Sequence, residues 1–397
     1  MGRRAALAPH GGAMSRVWDI PVQESTRVRD ARVAAEAACA EVSLDAPSTA
    51  AAALVATELA TNLVKHASGG RIVINLVGSA DSRAGTEPCV QIVSLDHGPG
   101  IGDVGAASAD GYTTSAASLG AGLGTCRRVA DDFDLHSRPG EGTVAVARIT
   151  STRTSRAKGS GRAGSGLRTG GSVQVGRNLR VGGSVRVGGG VRAGDSVRAG
   201  GVTASYAHAE HSGDAFAWVR SGSRVTLLLA DGLGHGEKAA EASTAAVEEL
   251  RRDADLPPAD LLRRLHTVLR TTRGAAVGVA QLDEDTGRLA FAGVGNIGAR
   301  LRTGTGWQPF ISHPGIVGAH FPATVPLREA DWGHDSLLVL HSDGLPGRWV
   351  PPLDPLLLAH DPAVVAAVVL RDAGSAARPL RDDTSVAVLT PAADGGP

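Results

Sequence analysis

Apolar residues follow two spacings over the first 150 residues of the chain. Runs in which they alternate or lie together predict strands, and spacings of three and four predict helices. The predicted strands cover residues 17–22, 71–77, 89–95, 133–136 and 142–149. The predicted helices cover residues 26–42, 48–67 and 124–130. The mixture indicates an α+β domain at 16–150, with a disordered tail at 1–15 and a long loop rich in glycine and serine at 98–122.

A β-rich pattern begins near residue 202 and continues almost to the end of the chain. The predicted strands cover residues 202–209, 215–220, 224–230, 275–283, 289–294, 298–302, 336–342 and 384–389. Predicted helices cover 237–252, 258–270 and 362–371. A second domain, rich in strands, is therefore expected over residues 201–391.

Residues 151–200 separate the two patterned regions and are rich in glycine and basic residues. They contain ten Lys or Arg against one acid, Asp195, and repeat short units such as Val-Gly-Gly-Ser-Val-Arg from residue 181. This composition favours a flexible linker. A basic patch for nucleic acid or acidic proteins is an alternative, but the segment lacks the aromatic residues that stack on bases. A small sheet built from the alternating valines is the least favoured interpretation.

Size and composition agree with two globular domains. The chain has 397 residues, more than one hydrophobic core usually organises. Hydrophobic residues make up 42% of the chain and aromatic residues only 3%, so the cores must consist mainly of Ala, Val and Leu. The formal net charge of zero gives no global argument for nucleic-acid binding.

Cysteine usage and hydropathy bear on location. The three cysteines, Cys39, Cys89 and Cys126, form no CxxC pair, which predicts a reducing cytoplasm without a disulfide framework or a cysteine zinc site. No apolar run approaches the roughly 20 residues that span a bilayer. Arg3 and Arg4 are not followed by the hydrophobic segment of a signal peptide. We therefore expect a cytoplasmic protein with no membrane partner.

The second predicted helix contains Glu58-Leu-Ala-Thr-Asn62. Residues four apart share a helical face, so Glu58 and Asn62 are neighbours. The amide oxygen of Asn62 suits Mg2+, which binds few protein groups and retains substrate phosphates. A glutamate one turn earlier can accept the proton of an attacking hydroxyl. Alone, such a pair is most often solvated.

Two glycine-rich segments follow this helix in order. The first, Asp96-His-Gly-Pro-Gly-Ile-Gly102, begins at the end of a predicted strand, where the Asp96 carboxylate could meet an exocyclic amine. The second opens a helix whose first amide groups would face phosphate. The glycines that let the backbone of these segments approach a ligand are Gly98, Gly100, Gly102, Gly122 and Gly124. Three such elements in this order predict a nucleotide site far more specifically than any one of them.

These residues resemble the motifs of the GHKL ATPase and kinase superfamily, in particular the RsbT-like anti-sigma serine kinases of bacterial partner switching. The resemblance covers about residues 16–150 and includes Gly140-Glu-Gly-Thr143. It implies a Bergerat-type α/β sandwich that binds ATP with Mg2+. It also implies that Glu58 is the catalytic base, that Asn62 holds Mg2+, that Asp96 binds adenine and that Thr143 supports the adenine pocket.

Other GHKL members resemble this chain less. A sensor histidine kinase should carry a phosphoacceptor helical hairpin upstream, for which too few residues precede the domain. A gyrase- or chaperone-type ATPase should carry a transducer domain after it. The resemblance needs neither His66 nor His97, and both are expected to be structural or solvated.

Acidic residues recur at the ends of strand-like segments in the second half of the chain. A lone Asp-Gly is most often a turn, but here two segments share the form Ser/Ala-Asp-Gly-Leu, at 230–233 and 342–345. Asp214 and the pair Asp382-Asp383 add further carboxylates in the same domain. Several carboxylates can hold two divalent cations that activate water against a phosphoester. Oxygen ligands suit Mg2+ or Mn2+.

This region, about residues 200–390, resembles the PPM family of metal-dependent serine/threonine phosphatases in its sporulation phosphatase (SpoIIE) and RsbX branch. The resemblance implies a β-sandwich flanked by helices. Asp383 stands where many members have an amide, so it is expected to hold the ligands in place. Asp231 is expected to bridge two Mn2+ or Mg2+ ions. The implied metal ligands are Asp214, Asp231, the carbonyl of Gly232, Asp343 and Asp382.

One position departs from the PPM pattern. Many eukaryotic members have a histidine, proposed as general acid, directly after the Asp-Gly pair, where this chain has Leu233. His235 or a water molecule could replace it. His208 and His211 precede Asp214 and could suggest zinc, but the fuller, oxygen-rich acidic set argues against that metal.

The two resemblances imply opposing phosphoryl chemistries in one chain. The leading hypothesis is a bacterial regulator that phosphorylates a serine or threonine of a STAS-type anti-sigma-factor antagonist and also hydrolyses such a phosphoester. The alternative is a phosphatase regulated by a domain that holds ATP and clamps a partner, such as a sigma factor, without transferring phosphate. Nucleic-acid binding through the linker is a third, unfavoured hypothesis, and it predicts strongly salt-dependent affinity.

Overall fold

The computed structural model describes residues 16–78, 88–104, 122–151, 183–187, 197–304, 306–347, 349–352, 354–374 and 380–392. The tail predicted at 1–15 lies outside these residues. So do most of the predicted loop, at 105–121, and most of the predicted linker, at 152–182 and 188–196. In the described ranges, no helix combines the length and the hydropathy that crossing a membrane requires.

A six-stranded antiparallel sheet organises the described N-terminal residues. Three helices, α1 (Thr26–Glu41), α2 (Ala46–His66) and α3 (Gly122–Val129), pack on one face of it and enclose a core of mainly Ala, Val, Leu and Ile. The order across the sheet is β1-β2-β3-β5-β4-β6. The strands are β1 Val17–Val22, β2 Gly70–Gly78, β3 Pro88–Leu95, β4 Asp132–Arg138, β5 Gly142–Ile149 and β6 Gly183–Val187.

Helix α2, which carries the Glu58–Asn62 motif, has clear signals at both ends. The Asp45 carboxylate accepts the amide N–H of Ser48 at 2.9 Å and caps the first turn, and Pro47 follows within that turn. Lys65 and His66 lie in the last turn, where positive charge meets the negative end of the helix dipole. The apolar face of α2 is buried against the sheet. The motif is thus held on a rigid element.

Two five-stranded antiparallel sheets form the C-terminal region, in the orders β14-β11-β10-β9-β8 and β13-β12-β15-β16-β7. The strands of the first are β8 Asp214–Ser221, β9 Arg224–Gly232, β10 Ala275–Asp283, β11 Arg288–Val294 and β14 Arg328–Asp331. The strands of the second are β7 Val197–Ala204, β12 Gly298–Thr303, β13 Gly306–Ile311, β15 Leu337–His341 and β16 Thr384–Pro391. The helices are α4 Glu237–Arg252, α5 Pro258–Val268 and α6 Pro362–Ala373.

Side chains that point alternately to the two faces of each strand pack this region into layers. In β9, Leu227 and Leu229 face the second sheet, while Leu228 and Ala230 face α4 and α5. In the second sheet, alternate residues of β15 and β16 face the first sheet or α6. Both predicted fold classes, the α+β domain and the helix-flanked β-sandwich, are therefore confirmed.

Some elements differ from the prediction. Within the predicted linker, Gly183–Val187 pairs with β4 as an edge strand, and β7 begins at Val197, before the expected domain start at 201. Residues Tyr206–His208 form a 3-10 turn where a strand was predicted. The strands β13 and β14 were missed because both are short and largely exposed, so they lack the apolar alternation on which the prediction relied.

The two regions share a hydrophobic core that the sequence did not predict. Valines on the second face of the N-terminal sheet pack together with residues of β7, β15, β16 and α6. Every residue of α6 from Pro362 to Arg371 is buried. Within this contact the side chains of Asn75 and Gln91 hydrogen-bond to the backbone of β7, at Thr203 and Gly201 respectively. Helix α6 therefore lies between two sheets.

A buried ion pair joins the regions at the start of α6. The Arg148 guanidinium of β5 donates two hydrogen bonds to the Asp361 carboxylate, at 2.9 and 2.7 Å. Asp361 also accepts the amide N–H of Ala363 and thereby caps α6. Burial alone would raise the pKa of Asp361, but the charge and hydrogen bonds of Arg148 outweigh it and lower the pKa to about 2.

Replacement of Arg148 by Met should destabilise the whole chain. The substitution leaves a buried, unpaired carboxylate at Asp361, so we expect the free energy of unfolding at pH 7 to fall by about 3–5 kcal/mol in guanidinium titration. Because the folded pKa of Asp361 lies below its unfolded value, the stabilisation in the wild type is present above about pH 4 and is lost as the pH falls towards 2. Arg32→Met, which removes the exposed pair with Glu36, is the control and should cost less than about 1 kcal/mol.

Candidate functional site

The Glu58–Asn62 face of α2 lies directly against the start of α3. A Cβ atom on Gly122 would stand 3.0 Å from Glu58 Oε2 and 3.5 Å from Asn62 Oδ1. Glycine at this position is what allows the N-terminus of α3 to approach so closely. The Asn62 side-chain nitrogen is buried and has no hydrogen-bond partner among the described residues. An unsatisfied buried amide is uncommon and marks a group that can meet a ligand.

Asp96 follows β3 and is buried where two backbone segments meet. Its Oδ1 accepts the amide N–H of Gly98 at 2.8 Å and that of Thr143 at 3.0 Å. Burial raises the pKa of this carboxyl, and the two amide donors act in the opposite direction. Thr143 was predicted to support the adenine pocket, and its contact with Asp96 is made through the backbone amide N–H.

Ser137 is a buried residue of this site that sequence reasoning missed. Its hydroxyl accepts the amide N–H of Ile101 at 2.8 Å, donates to the Gly142 carbonyl and lies 2.9 Å from the Thr143 hydroxyl. It therefore ties the turn after Asp96 to the start of β5. No motif surrounds Ser137 in the sequence, so no signal there could have identified it.

The glycines after Asp96 are required by the protein's own packing. A Cβ on Gly98 would stand 2.6 Å from the Ala67 Cα, and one on Gly100, which has φ +69°, would collide with the Arg138 carbonyl. Gly102 has nothing within 4 Å of its Cβ position. Gly124 is buried within α3. Close approach of backbone to backbone, which the sequence argument did not consider, thus accounts for Gly98 and Gly100.

The predicted metal-binding acids gather where the two C-terminal sheets meet. Asp214 begins β8 and pairs directly across the ladder with Asp231 near the end of β9. Asp343 follows β15 and Asp382 precedes β16, and these two strands are neighbours in the other sheet. Residues more than 160 positions apart in the chain therefore meet at one edge of the sandwich.

Burial and neighbouring negative charge raise the pKa of Asp214, Asp231 and Asp343. Burial, followed by the charge of Asp231, raises the pKa of Asp214 well above its usual value. Burial and the charges of Asp343, Asp382 and Asp383 raise the pKa of Asp231 to about 7. Asp214 Oδ2 is buried without a hydrogen-bond partner among the described residues. A cluster of oxygen donors that repel one another suits divalent cations, which would supply the missing positive charge.

The acids are neighbours but do not form a closed coordination shell. Within the described residues, no three His, Cys, Asp or Glu side chains surround a single point. The backbone, by contrast, is fixed, because a Cβ on Gly232 would collide with the Ala239 carbonyl. Gly232 also donates its amide N–H to the Gly213 carbonyl at 2.9 Å.

Asp383 and Asn296 contact the ligand-bearing segments. Asp383 accepts the amide N–H of Tyr206 at 2.7 Å and that of Gly213 at 2.6 Å, so its carboxylate holds the loop before Asp214. Asn296 donates to Asp343 Oδ2 at 2.7 Å and was missed by sequence reasoning. It follows a glycine at the end of apolar β11, which is the same kind of strand-end signal that identified the aspartates.

The histidines near the two sites have different surroundings. His208 lies 3.5 Å from Asp19 of the N-terminal region, so it faces the contact between the regions, which argues against the zinc alternative. His235 is exposed, and its charge opposes the rise in the pKa of Asp383 that burial causes. His66 is exposed at the end of α2. His97 donates from Nε2 to the Arg371 carbonyl of α6 at 3.1 Å.

Comparison with known proteins identifies both regions. Residues 22–149 match the family model of the histidine kinase-like ATPase domain, and residues 221–391 match that of stage II sporulation protein E (SpoIIE). The chain therefore joins an RsbT-like ATPase domain to a SpoIIE-family, PPM-type serine/threonine phosphatase domain. Both resemblances noted from the sequence are confirmed at this level.

Two relatives come from Bacillus subtilis (strain 168). Serine/threonine-protein kinase RsbT is 38% identical over 91 residues, which are 23% of this chain and 64% of the kinase. Phosphoserine phosphatase RsbX is 24% identical over 135 residues, which are 34% of this chain and 67% of the phosphatase. The chain thus spans less than two thirds of RsbT and about two thirds of RsbX. A solved structure of the SpoIIE phosphatase domain with a fragment of its regulatory domain, also from Bacillus subtilis, is 13% identical to this chain. The match covers 80% of this chain and 82% of the solved chain, with a TM-score of 0.42.

The acidic cluster should make the metal-free protein less stable as the pH rises. The folded pKa of Asp231, about 7, lies above its unfolded value, so ionisation opposes folding. The contribution of Asp231 alone should begin near pH 4, grow to about 4 kcal/mol by pH 7 and then level off, at about 1.4 kcal/mol per pKa unit. The raised pKa of Asp214 adds to this loss. Thermal melting of the metal-free protein between pH 4 and 8 measures this loss of stability.

Asp231→Asn provides the control for this pH dependence. The variant should lose the part of the slope that the ionisation of Asp231 contributes, and Mn2+ should restore stability at pH 8 to the wild type but not to the variant. A melting temperature of the wild type that stays constant over this pH range would contradict the repulsion described for these carboxylates.

Proposed function

We propose that this chain, an RsbT-like ATPase domain joined to a SpoIIE-family phosphatase domain, is a bifunctional regulator of bacterial partner switching. The N-terminal domain transfers phosphate from ATP to a serine or threonine of a STAS-type protein, and the C-terminal domain hydrolyses such a phosphoester. A cytoplasmic location and a sigma factor as further partner belong to the same proposal. The observation that carries it is the convergence of four aspartates from two sheets at one edge of the sandwich.

For the phosphatase reaction, the proposed metal ligands are Asp214, Asp231, the Gly232 carbonyl, Asp343 and Asp382. Two Mn2+ or Mg2+ ions held there would supply Lewis-acid chemistry to a phosphoester. Asp231 is suited to bridge them because it lies opposite Asp214 and its pKa responds to Asp343 and Asp382. His235 is the proposed proton donor to the leaving serine, since it is exposed on the loop that follows Asp231.

For the kinase reaction, Glu58 would accept the proton of the attacking hydroxyl, and Asn62 would hold Mg2+. Asp96 would accept a hydrogen bond from the adenine amine, in a pocket supported by Thr143. The proximity of Gly122 to both Glu58 and Asn62 supports this assignment, because it brings the amide groups of α3 to the same place.

A second candidate function is a phosphatase whose N-terminal domain binds ATP and clamps a partner without transferring phosphate. The extensive core shared by the two regions favours it, since that contact could transmit nucleotide occupancy to the metal centre. Both candidates require ATP binding and Mn2+-dependent hydrolysis. They differ in whether Glu58 acts chemically.

Asp231→Asn should abolish Mn2+-dependent hydrolysis of a phosphorylated STAS protein. Loss of one bridging carboxylate removes charge from both proposed metal positions, so we expect at least about a hundredfold lower kcat/KM, consistent with a loss of several kcal/mol in transition-state stabilisation. Glu241→Gln, on the exposed face of α4, is a matched control and should keep full activity. An active Asp231→Asn enzyme would assign the bridging role to another residue.

Glu58→Ala distinguishes the kinase from the clamp. With radiolabelled ATP, Mg2+ and candidate STAS proteins, the wild type should transfer phosphate and the variant should lose about 100-fold or more of the rate, as is typical for loss of a general base. Nucleotide affinity, measured by calorimetry, should stay within a few fold. Absence of transfer in the wild type, together with ATP-dependent partner binding in both proteins, would instead support the clamp.

A further inference from the structure

Buried hydrogen bonds run from the N-terminal sheet towards the metal centre. The series begins at Asn75 of β2, whose side chain donates to the Thr203 carbonyl at 2.8 Å and accepts the Thr203 amide N–H at 3.1 Å. This paired contact fixes the backbone of β7 at one residue. Both residues are buried, with exposed fractions of 4% each.

The series continues through two hydroxyl groups of the phosphatase domain. The Thr203 hydroxyl lies 2.6 Å from the hydroxyl of Ser385, the residue directly opposite it in β16. Ser385 donates its amide N–H to the Ser342 hydroxyl at 2.9 Å. The Ser342 side chain also acts on the Asp214 carboxylate, whose pKa it lowers against the larger effect of burial. Ser342 and Ser385 are fully buried, so none of these contacts is shared with bulk water.

The members of this series adjoin the proposed ligands in the chain as well as in space. Ser342 precedes Asp343, and Ser385 stands two residues after Asp383. A shift of β7 at Thr203 would therefore reach the segments that carry Asp214, Asp343 and Asp382. Buried polar groups permit few alternative arrangements, because each lost partner leaves a buried group unsatisfied.

We propose that Thr203, Ser385 and Ser342 are positioning residues of the metal centre, and that Asn75 of the ATPase domain anchors them. On this proposal the N-terminal domain sets how well the phosphatase domain binds divalent cations. It rests on the proposed function for the identity of the metal ligands, and it adds a role for residues that do not themselves bind metal or substrate.

The test compares variants that differ by one buried hydrogen-bonding group. Thr203→Val is nearly isosteric and loses the hydroxyl, whereas Thr203→Ser retains it. Mn2+ affinity of the full chain is measured by calorimetry, and the Mn2+ concentration for half-maximal hydrolysis of p-nitrophenyl phosphate is measured in parallel. One buried hydrogen bond corresponds to about 2- to 10-fold in an equilibrium constant. We expect Thr203→Val to weaken Mn2+ binding by this factor and Thr203→Ser to stay within twofold of the wild type.

Two residues at the contact between the domains provide a second matched pair of variants. Asn75→Leu removes the anchor. Gln91→Met removes a buried hydrogen bond to β7, at Gly201, and one from Arg148, and neither of these leads to the hydroxyl groups. Asn75→Leu should weaken Mn2+ binding at least twofold, and Gln91→Met should leave it unchanged although both lower the melting temperature. Equal effects of the two substitutions on Mn2+ affinity, or no effect of Thr203→Val, would overturn the proposal.

The two readouts separate this proposal from the proposed function. Wild-type protein that binds Mn2+ but hydrolyses nothing would refute the phosphatase assignment, while the calorimetric comparison of the variants would still support or overturn the positioning role. Hydrolysis that is intact and equally Mn2+-dependent in all four variants would refute the positioning role alone.

Discussion

The packing of helix α6 between two sheets is the constraint on which the rest of the structure depends. One face of the N-terminal sheet is covered by its own helices, and one face of the neighbouring C-terminal sheet is covered by the other sheet of the sandwich. Without α6, the second face of each sheet would be exposed to water. Helix α6 is apolar on all sides, and such a helix is stable only when it is buried all round. The ion pair of Arg148 with Asp361 and the contact of His97 with the Arg371 carbonyl fix the two ends of this helix.

Each of the two proposed sites has a contact that reaches the interface between the two regions. His97, beside the proposed adenine-binding Asp96, satisfies a carbonyl in the last turn of α6, where helical carbonyls lack partners within the helix. The buried series from Asn75 reaches the acids of the metal centre by a separate route through β7. Movement of one domain relative to the other would therefore disturb both sites, and the binding energies of ligands at the two sites can be coupled through the same contacts.

Local signals in the sequence were sufficient for most of the elements, and the proposed ligands rest on such signals together with the two family resemblances. Glu58 and Asn62 follow from helical spacing, and the aspartates follow from their positions at strand ends. The contact between the domains could not be predicted in this way. Asn75 and Thr203 lie 128 residues apart in the chain, and each resembles an ordinary polar residue within a strand. Their pairing depends on how two complete sheets face each other, which no local pattern encodes.

The edge strands were missed for a related physical reason. Residues at a sheet edge have few apolar neighbours, so β14, which reads Arg-Glu-Ala-Asp, carries no hydrophobic alternation. Its assignment comes only from hydrogen bonds to β11. Similarly, Ser137 joins the segments around Asp96 through three contacts in space and has no distinctive sequence around it.

The valines on the second face of the N-terminal sheet have a consequence for how this protein can evolve. Val73, Val93, Val144 and Val146 are covered only because the other half of the chain supplies α6. If a mutation split the gene into two, each product would expose an apolar surface to water and would be prone to aggregate. Selection should therefore keep the halves on one polypeptide, or demand polar replacements on this face before they could separate.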